Sequence, residues 1–349
     1  MNWTVEWEPA FRTAAALTAD PPLPCEPADP DRIVAFAIRE KTAAIVARRM
    51  GHPRLRTVAD AVLARQVVAL HQAGEVLRRI GPEVIPLKGL HLIESHYRAG
   101  ERDMGDLDLL VPRSRVEIAD RALHSLGYRP STGLHESLKA GGSYLNSLLY
   151  SGDGVFPVHL HWHVVNASLP LFMVRIRPEE IWSESREGIV AGARARRMAP
   201  HHLLLTLCEH ALKHSYDALI HLADIDRAWR AGVEKVRVFD TARRWGIEPA
   251  MRLGLFLASR ILGTPVHVRP SPGFLSRWIL RSVREDRRWA GLGALGYMMM
   301  AKGWRDRGRF LRASLSPPPA EIRAFGKQPG WRAVARRAWA AVKTLADGI

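Results

Sequence analysis

Cysteine is nearly absent: Cys25 and Cys208 are the only two in 349 residues. That is too few for a disulfide framework, and neither sits in a paired-cysteine metal motif, so a reducing compartment, the cytoplasm, is the expected location. No apolar run is long enough to cross a bilayer, and the opening MNWTVEWEP lacks the basic stretch and apolar core of a secretory signal. There is no fixed-period repeat, no Walker-type GK[ST] and no GxSxG elbow. The string GLGALG, with Gly291, Gly293 and Gly296, has dinucleotide-loop spacing, but no strand precedes it and its surroundings read as helical, which argues against a nucleotide loop.

Acidic residues are also scarce. Thirty-five Asp and Glu face 51 Lys and Arg, a formal charge of +16. Residues 275–349 hold 16 Lys or Arg and 5 Asp or Glu, so about two thirds of the excess sits in a tail region. Within it, WRAVARRAWAAVKTLA aligns Trp331, Val334, Ala335, Ala338, Val342 and Leu345 on one helical face. Such a helix packs on the protein, or meets an acidic partner or an anionic surface. Nucleic acid is a less favoured partner, because the charge does not belong to the candidate site described next.

The chain divides by pattern. PPLPCEPADP, residues 21–30, is too rich in proline for helix or central strand, so residues 1–30 read as a flexible arm. Helical periodicity fills 31–80, over 31–49 and 54–80, with Val58, Ala61, Val62, Leu63 and Val67 as the expected apolar face and Gly81-Pro82 as the stop. Residues 81–198 alternate short strands and helices: EVIPLK, GLHLIESHY, DLDLLV and an amphipathic helix ended by Gly127. SYLNSLLY and VFPVHLHWHVV follow, around an SGDG turn, and a last strand-like stretch lies near 188–198. A helical domain is expected over 199–270 and a basic helical tail over 271–349. The fold class is therefore α+β: a small mixed-sheet unit with helices before it and an all-helical domain after it.

In DLDLLV, residues two apart share a strand face, so Asp106 and Asp108 project together while Leu107, Leu109 and Val111 pack on the other side. Two hard-oxygen ligands so placed suit a divalent cation, and a polar strand edge needs none. Before them, Lys88-Gly89 closes a strand and opens a helix, a corner where backbone N–H groups can approach phosphate. In VHLHWHVV the same alternation puts His159, His161 and His163 on one face and Leu160 and Trp162 on the other. Those histidines are metal ligands, acid–base groups or ordinary hydrogen-bonded side chains; three ligands from one strand to a tetrahedral zinc would be unusual. In the helix HHLLLTLCEHALKHSY, His210 and His214 share a face, with Glu209 and Lys213 near its edges. Asp224 and Asp226 repeat the D-x-D spelling, but two residues apart on a helix they diverge.

The run LKGLHLIESHYRAGERDMGDLDLLVPR, then HLHW, then LLLTLCEHALKHSYDALIHLADIDRAW resembles a bacterial family labelled nucleotidyltransferase family 5, of the DNA polymerase β-like superfamily. The resemblance covers residues 85–230. It implies a nucleotidyltransferase unit that moves a nucleoside monophosphate from a nucleoside triphosphate to an acceptor on a small molecule, peptide or protein, with Mg²⁺ or Mn²⁺. Asp106 and Asp108 become metal ligands, and Lys88 and Gly89 the phosphate turn. Arg102 takes a phosphate contact, or an ion pair with Asp103 or Asp106. His161 and His210 are assigned to the nucleotide side. The family usually has an acidic residue where this chain has His159, which makes His159 a third ligand or a general base and admits two alternatives: a degenerate nucleotide- or partner-binding protein, and a nucleic-acid-acting transferase using the basic tail.

Overall fold

The structure is a computed structural model and describes residues 9–135, 138, 146–165, 171–269, 292–301 and 303–315. The amphipathic tail segment 331–346 lies outside the described residues. Four helices come first: α1 (Pro9–Thr18), α2 (Pro30–Arg39), α3 (Ala43–Ala47) and α4 (Pro53–Ile80). The α/β unit adds β1 (Ile85–Pro86), α5 (Lys88–Ile93), β2 (Leu107–Leu110), α6 (Val116–Ser125), β3 (Arg129–Pro130), β4 (Ser147–Ser151), β5 (Val158–His161) and α7 (Pro178–Glu184). A hairpin of β6 (Arg186–Val190) and β7 (Ala193–Arg197) leads to helices α8 (Pro200–Lys213), α9 (Leu219–Arg230), α10 (Lys235–Trp245) and α11 (Glu248–Leu262). Two more, α12 (Leu292–Met300) and α13 (Trp304–Leu315), follow. The α+β class is the one observed, and no helix among the described residues is long and apolar enough to cross a membrane.

The main sheet runs β1-β2-β5-β4-β3, with β2 and β5 parallel and every other pair antiparallel. Its two faces enter different cores. Leu107, Leu109, Val158 and Leu160 join α4 and α6 residues such as Val76, Leu77, Val116 and Leu123. Leu110 instead joins a core shared with α8, α9 and α11, where Leu204, Ile225 and Leu257 are buried. Period-2 alternation therefore divides the sheet between a face fully packed on helices and a face that carries the polar residues. The β6–β7 hairpin turns on Ala191 (φ 50°) and Gly192 (φ 70°), two left-handed residues whose twist suits a two-residue connection.

Several expectations change. The arm assigned to residues 1–30 contains α1, whose Ala10, Phe11, Ala14 and Ala15 are buried. Its alanine-rich face packs on α2 and α11, and the proline run begins only after it ends. The helix expected over 31–49 breaks at Glu40-Lys41-Thr42, with Lys41 at φ 58°. Glu40 is buried there and accepts from the Leu219 N–H at 2.8 Å, satisfying a free donor at the start of α9. In α4 the buried stripe is Leu55, Val62, Gln66, Ala69, Ala73, Val76, Leu77 and Ile80, whereas Leu63 and Val67 face solvent. Gln66 and Gln72 escape an apolarity count because their amides bond buried backbone, Gln66 to Gly100 N–H (2.7 Å) and Gln72 to Phe156 N–H (2.9 Å). The strand expected through VFPVHLHWHVV stops at His161.

Gly293 and Gly296 of GLGALG serve packing. A Cβ on Gly293 would stand 2.5 Å from the Leu212 carbonyl oxygen, and one on Gly296 would meet the Leu212 side chain at 2.5 Å, so small residues let α12 lie against the end of α8. Gly74 plays the same part inside α4, where a Cβ would meet the Ala191 carbonyl at 2.5 Å. In an exposed helix Gly→Ala stabilises by about 0.5–1 kcal/mol. Here Gly74→Ala is expected to destabilise by about 1–3 kcal/mol, because the hairpin backbone must move away. Urea unfolding of the two proteins checks the sign.

Candidate functional site

The site is built on three adjacent pieces of backbone. Edge strand β1 ends at Pro86, a position where proline's missing donor costs no ladder bond. The next N–H, Leu87, donates to the Asp108 carbonyl at 2.9 Å, which sets Lys88 beside the Asp108 side chain. Lys88 has a left-handed backbone (φ 47°), an unfavourable conformation for a residue with a side chain, at the sharp entry to α5. Gly89 is buried in the first turn of α5, and a Cβ there would come within 3.3 Å of Met104 Cγ. On the other flank, parallel pairing opposes Asp108 to His159 and Leu110 to His161, so both histidines share the face of Asp108.

These side chains converge on one atom. Asp108 Oδ1 accepts from Lys88 Nζ at 2.9 Å, bonds His161 Nε2 at 2.8 Å and lies 3.5 Å from His159 Nδ1. Asp108 is 4 % exposed. Burial alone would raise its pKa, but the Lys88 charge and the bonds from His159 and His161 outweigh it, and the carboxyl is held well below its ordinary range. Lys88 responds in the opposite direction. Its burial is overcome by the charge and hydrogen bond of Asp108, so its pKa is raised. His161, 1 % exposed, is driven down to about 3 by burial and by His159, against the pull of Asp108. It is therefore a neutral imidazole at pH 7, and with Asp108 ionised its Nε2–H is the donor.

Asp106 lies just before β2 and makes no hydrogen bond or ion pair among the described residues. Burial and the neighbouring Asp108 charge raise its pKa, opposed by Lys88, His159 and Arg102. Two carboxylates repelling one another in a half-buried cleft form an electrostatic setting that a cation relieves. Asp108, His159 and His161 each offer a ligand atom within 4.8 Å of the others. A donor set of carboxylate oxygens and neutral imidazole fits a divalent ion, and the nitrogen favours Mn²⁺ over Mg²⁺.

The end of helix α8 lies within electrostatic range of these groups. The pKa of Lys213 is lowered by burial and by Lys88, against the attraction of Glu209, Asp108 and Asp106. His210 is pushed well below its ordinary value by burial, then by Lys88, His221, His214 and Lys213. Both side chains thus feel the charge of Lys88. Glu209 is buried, accepts from the Tyr297 hydroxyl at 2.7 Å and also acts on Lys88. Lys213, read in the sequence only as an edge residue of α8, is the functional candidate the spacing undervalued. Its lysine neighbour in space, Lys88, is far away in sequence.

Three expectations for the site change. Arg102 is engaged neither with Asp103's carboxylate nor with Asp106. Its guanidinium holds Asp224 through two bonds of 2.9 Å, and Tyr97 donates to the same carboxylate at 2.6 Å. The bidentate fork consumes the groups that a phosphate contact would use. His161 is 1 % exposed and bonded to Asp108, a burial that does not suit the direct nucleotide contact expected of it. His163 leaves the face altogether, because β5 has ended; its Nε2 lies 3.2 Å from the Ile176 carbonyl, and its Nδ1 accepts from Val165 N–H at 3.0 Å. Asp226 points elsewhere, to Arg230 and Thr264, as expected for a helical D-x-D. A separate cavity of about 910 Å³ opens beyond the carboxyl ends of β2 and β5, lined by Arg113, Asn146, Trp162, Trp182 and Arg196, and the carboxylate cluster is not part of its lining.

A family model described as an uncharacterised nucleotidyltransferase matches residues 26–263, more than half of the chain. The search of curated proteins found no match.

Breaking the buried Arg102–Asp224 pair leaves an uncompensated charge. Arg102→Ala is expected to cost about 3–5 kcal/mol, and adding Asp224→Asn should recover part of that loss. A urea double-mutant cycle measures both. A pH effect follows from the buried histidines. His91 (lowered to about 4), His161 and His202 (both to about 3) must stay neutral in the folded chain, each driven down chiefly by burial. Below their unfolded value of 6.5 the unfolded chain binds more protons, so stability falls with pH, by about 1.4 kcal/mol per unit for each group until its folded pKa is reached. Urea midpoints at pH 7 and pH 5 are expected to show the decline.

Proposed function

Because the chain belongs to this family of nucleotidyltransferases, we propose that it transfers a nucleoside monophosphate from a nucleoside triphosphate to a hydroxyl or similar acceptor on a small molecule, peptide or protein. The observation that supports this reading is the convergence of Lys88, His161 and His159 on Asp108 Oδ1, with Asp106 beside them and Lys213 within electrostatic range of both carboxylates. Lys88 and Lys213 supply two positive charges for the phosphates. An acceptor oxygen attacks the α-phosphorus as the bond to the bridging oxygen breaks and pyrophosphate leaves. His159, whose side chain is 23 % exposed beside Asp108, takes the acceptor proton. A divalent cation, Mg²⁺ or Mn²⁺, when held by Asp106 and Asp108 with His159 as a nearby donor, would neutralise charge on the phosphate oxygens. His161 keeps Asp108 oriented and ionised. Positioning and electrostatics carry most of the rate in such transfers.

A second reading is nucleotide binding without transfer. It is favoured by one observation: Asp108 Oδ1 is already surrounded by Lys88, His161 and His159. Lys88 must release Asp108 when cation and phosphate enter, and a chain in which it stays would bind without reacting.

Pyrophosphate release from each nucleoside triphosphate, with Mg²⁺ or Mn²⁺, separates the two readings. Transfer predicts release that falls by about two orders of magnitude or more in Asp108→Asn while the folded state is retained. A wild-type chain that shows a nucleotide-dependent thermal shift and no release with any acceptor pool would leave the binding reading.

A further inference from the structure

Beyond the carboxylate site, the end of α8 carries a second constellation. His210, His214, Asp217 and His221 are spaced i, i+4, i+7 and i+11, the interval of one helical face. The helix does not continue through them. α8 ends at Lys213, Ser215 and Tyr216 both take positive φ (55° and 52°), and α9 begins at Leu219. The reversal is fixed by Tyr216 N–H to the Ala211 carbonyl (2.9 Å) and Asp217 N–H to the His214 carbonyl (3.0 Å). It brings the polar side chains together nonetheless: the His214 and His221 rings stack at 5.3 Å, and His210 stands 4.5 Å from His214 and 5.3 Å from His221.

We propose that His214, Asp217 and His221 bind a transition-metal ion of the zinc class (Zn²⁺, Co²⁺ or Ni²⁺), fastening the end of α8 to the start of α9 and forming a site separate from Asp108. Each of the three offers a ligand atom within 4.8 Å of the other two. Bonds of about 2.0–2.2 Å in tetrahedral geometry put donors about 3.4 Å apart, so closure asks for about 1 Å of side-chain movement. Two imidazoles and one carboxylate suit a borderline-soft ion better than Mg²⁺ or Ca²⁺, and they leave a coordination position open beside His210. The last turn of α8 presents the negative end of its backbone dipole, which with Asp217 offsets the positive charges of Lys213 and Lys88 that act on His214. Asp217 bonds His221 Nε2 at 2.9 Å, while the buried Nδ1 of His221 has no partner among the described residues. His214, lowered to about 4 chiefly by burial, offers a free lone pair at pH 7.

A rival trio, Glu184, His201 and His202, is equally close-set but differs in charge. Glu184 is already ion-paired with Arg237, the histidines sit in the positive first turn of α8, and Arg237 and Arg244 both act on them. A cation is repelled there.

The test uses the full chain, stripped with a chelator and titrated with Co²⁺ while visible d–d absorption is followed, with Zn²⁺ as competitor. One equivalent displaceable by Zn²⁺ is expected in the Asp106→Asn/Asp108→Asn double variant and in Glu184→Gln. Binding should weaken about tenfold or more in Asp217→Asn and disappear in His221→Gln. Asp217 is 45 % exposed at its side chain, so its variant is expected to fold normally by circular dichroism, and it decides the question if His221→Gln does not fold. Co²⁺ binding that survives Asp217→Asn unchanged, that vanishes in the Asp106→Asn/Asp108→Asn variant, or that is absent up to about 1 mM overturns the proposal.

Discussion

Keeping the Asp108 carboxylate charged inside the protein requires donors, and the surrounding structure gathers three of them on its Oδ1. An isolated buried carboxylate would take up a proton; here an ammonium and two imidazoles hold it ionised. Each donor fixes a piece of architecture. Lys88 requires the strained corner after β1, the histidines require β5 in parallel register with β2, and the open side requires the polar edge of α8. Asp106, one step outside this shell and without a bonded partner, carries the charge that remains available to a cation.

The second constraint is attachment of the helical domain to the sheet unit, which runs through buried ion pairs as well as apolar packing. Arg102, on the loop before β2, grips Asp224 of α9, and Tyr97 joins the same carboxylate. Glu101 lies between Arg48 and Arg227, while Arg227 also stacks over the Tyr97 ring at 4.1 Å. Such pairs add less net stability than apolar packing of the same volume, because desolvation offsets much of their attraction. Their geometry is demanding, however, and it fixes how α8 and α9 face the carboxylates.

Much of this was legible from the sequence because it follows the strand period. Alternation puts His159 and His161 on one strand face, and the register sets that face beside Asp108, while Asp106 precedes the strand. It failed for His163 since nothing in HLHWHVV marks the point where pairing stops. The fate of Arg102 was invisible for another reason: its partner lies 122 residues away, in a D-x-D rightly set aside as a metal pair and then given no role. Apolarity counts misplaced the face of α4, where glutamine amides serve buried backbone while Val67 remains outside. Proline content alone made an arm of a segment that begins with a packed alanine-rich helix.

Glu40 gives one feature a temporal meaning. Its carboxylate caps the first turn of α9 across 179 residues of chain. During synthesis from the N-terminus, the early helices leave the ribosome with Glu40 Oε1 held by its neighbour Arg39, while the N–H that Oε2 accepts from has not yet been made. Contacts so distant in sequence form slowly and late. The local ion pair thus carries the acid until the middle of the chain arrives to complete its setting.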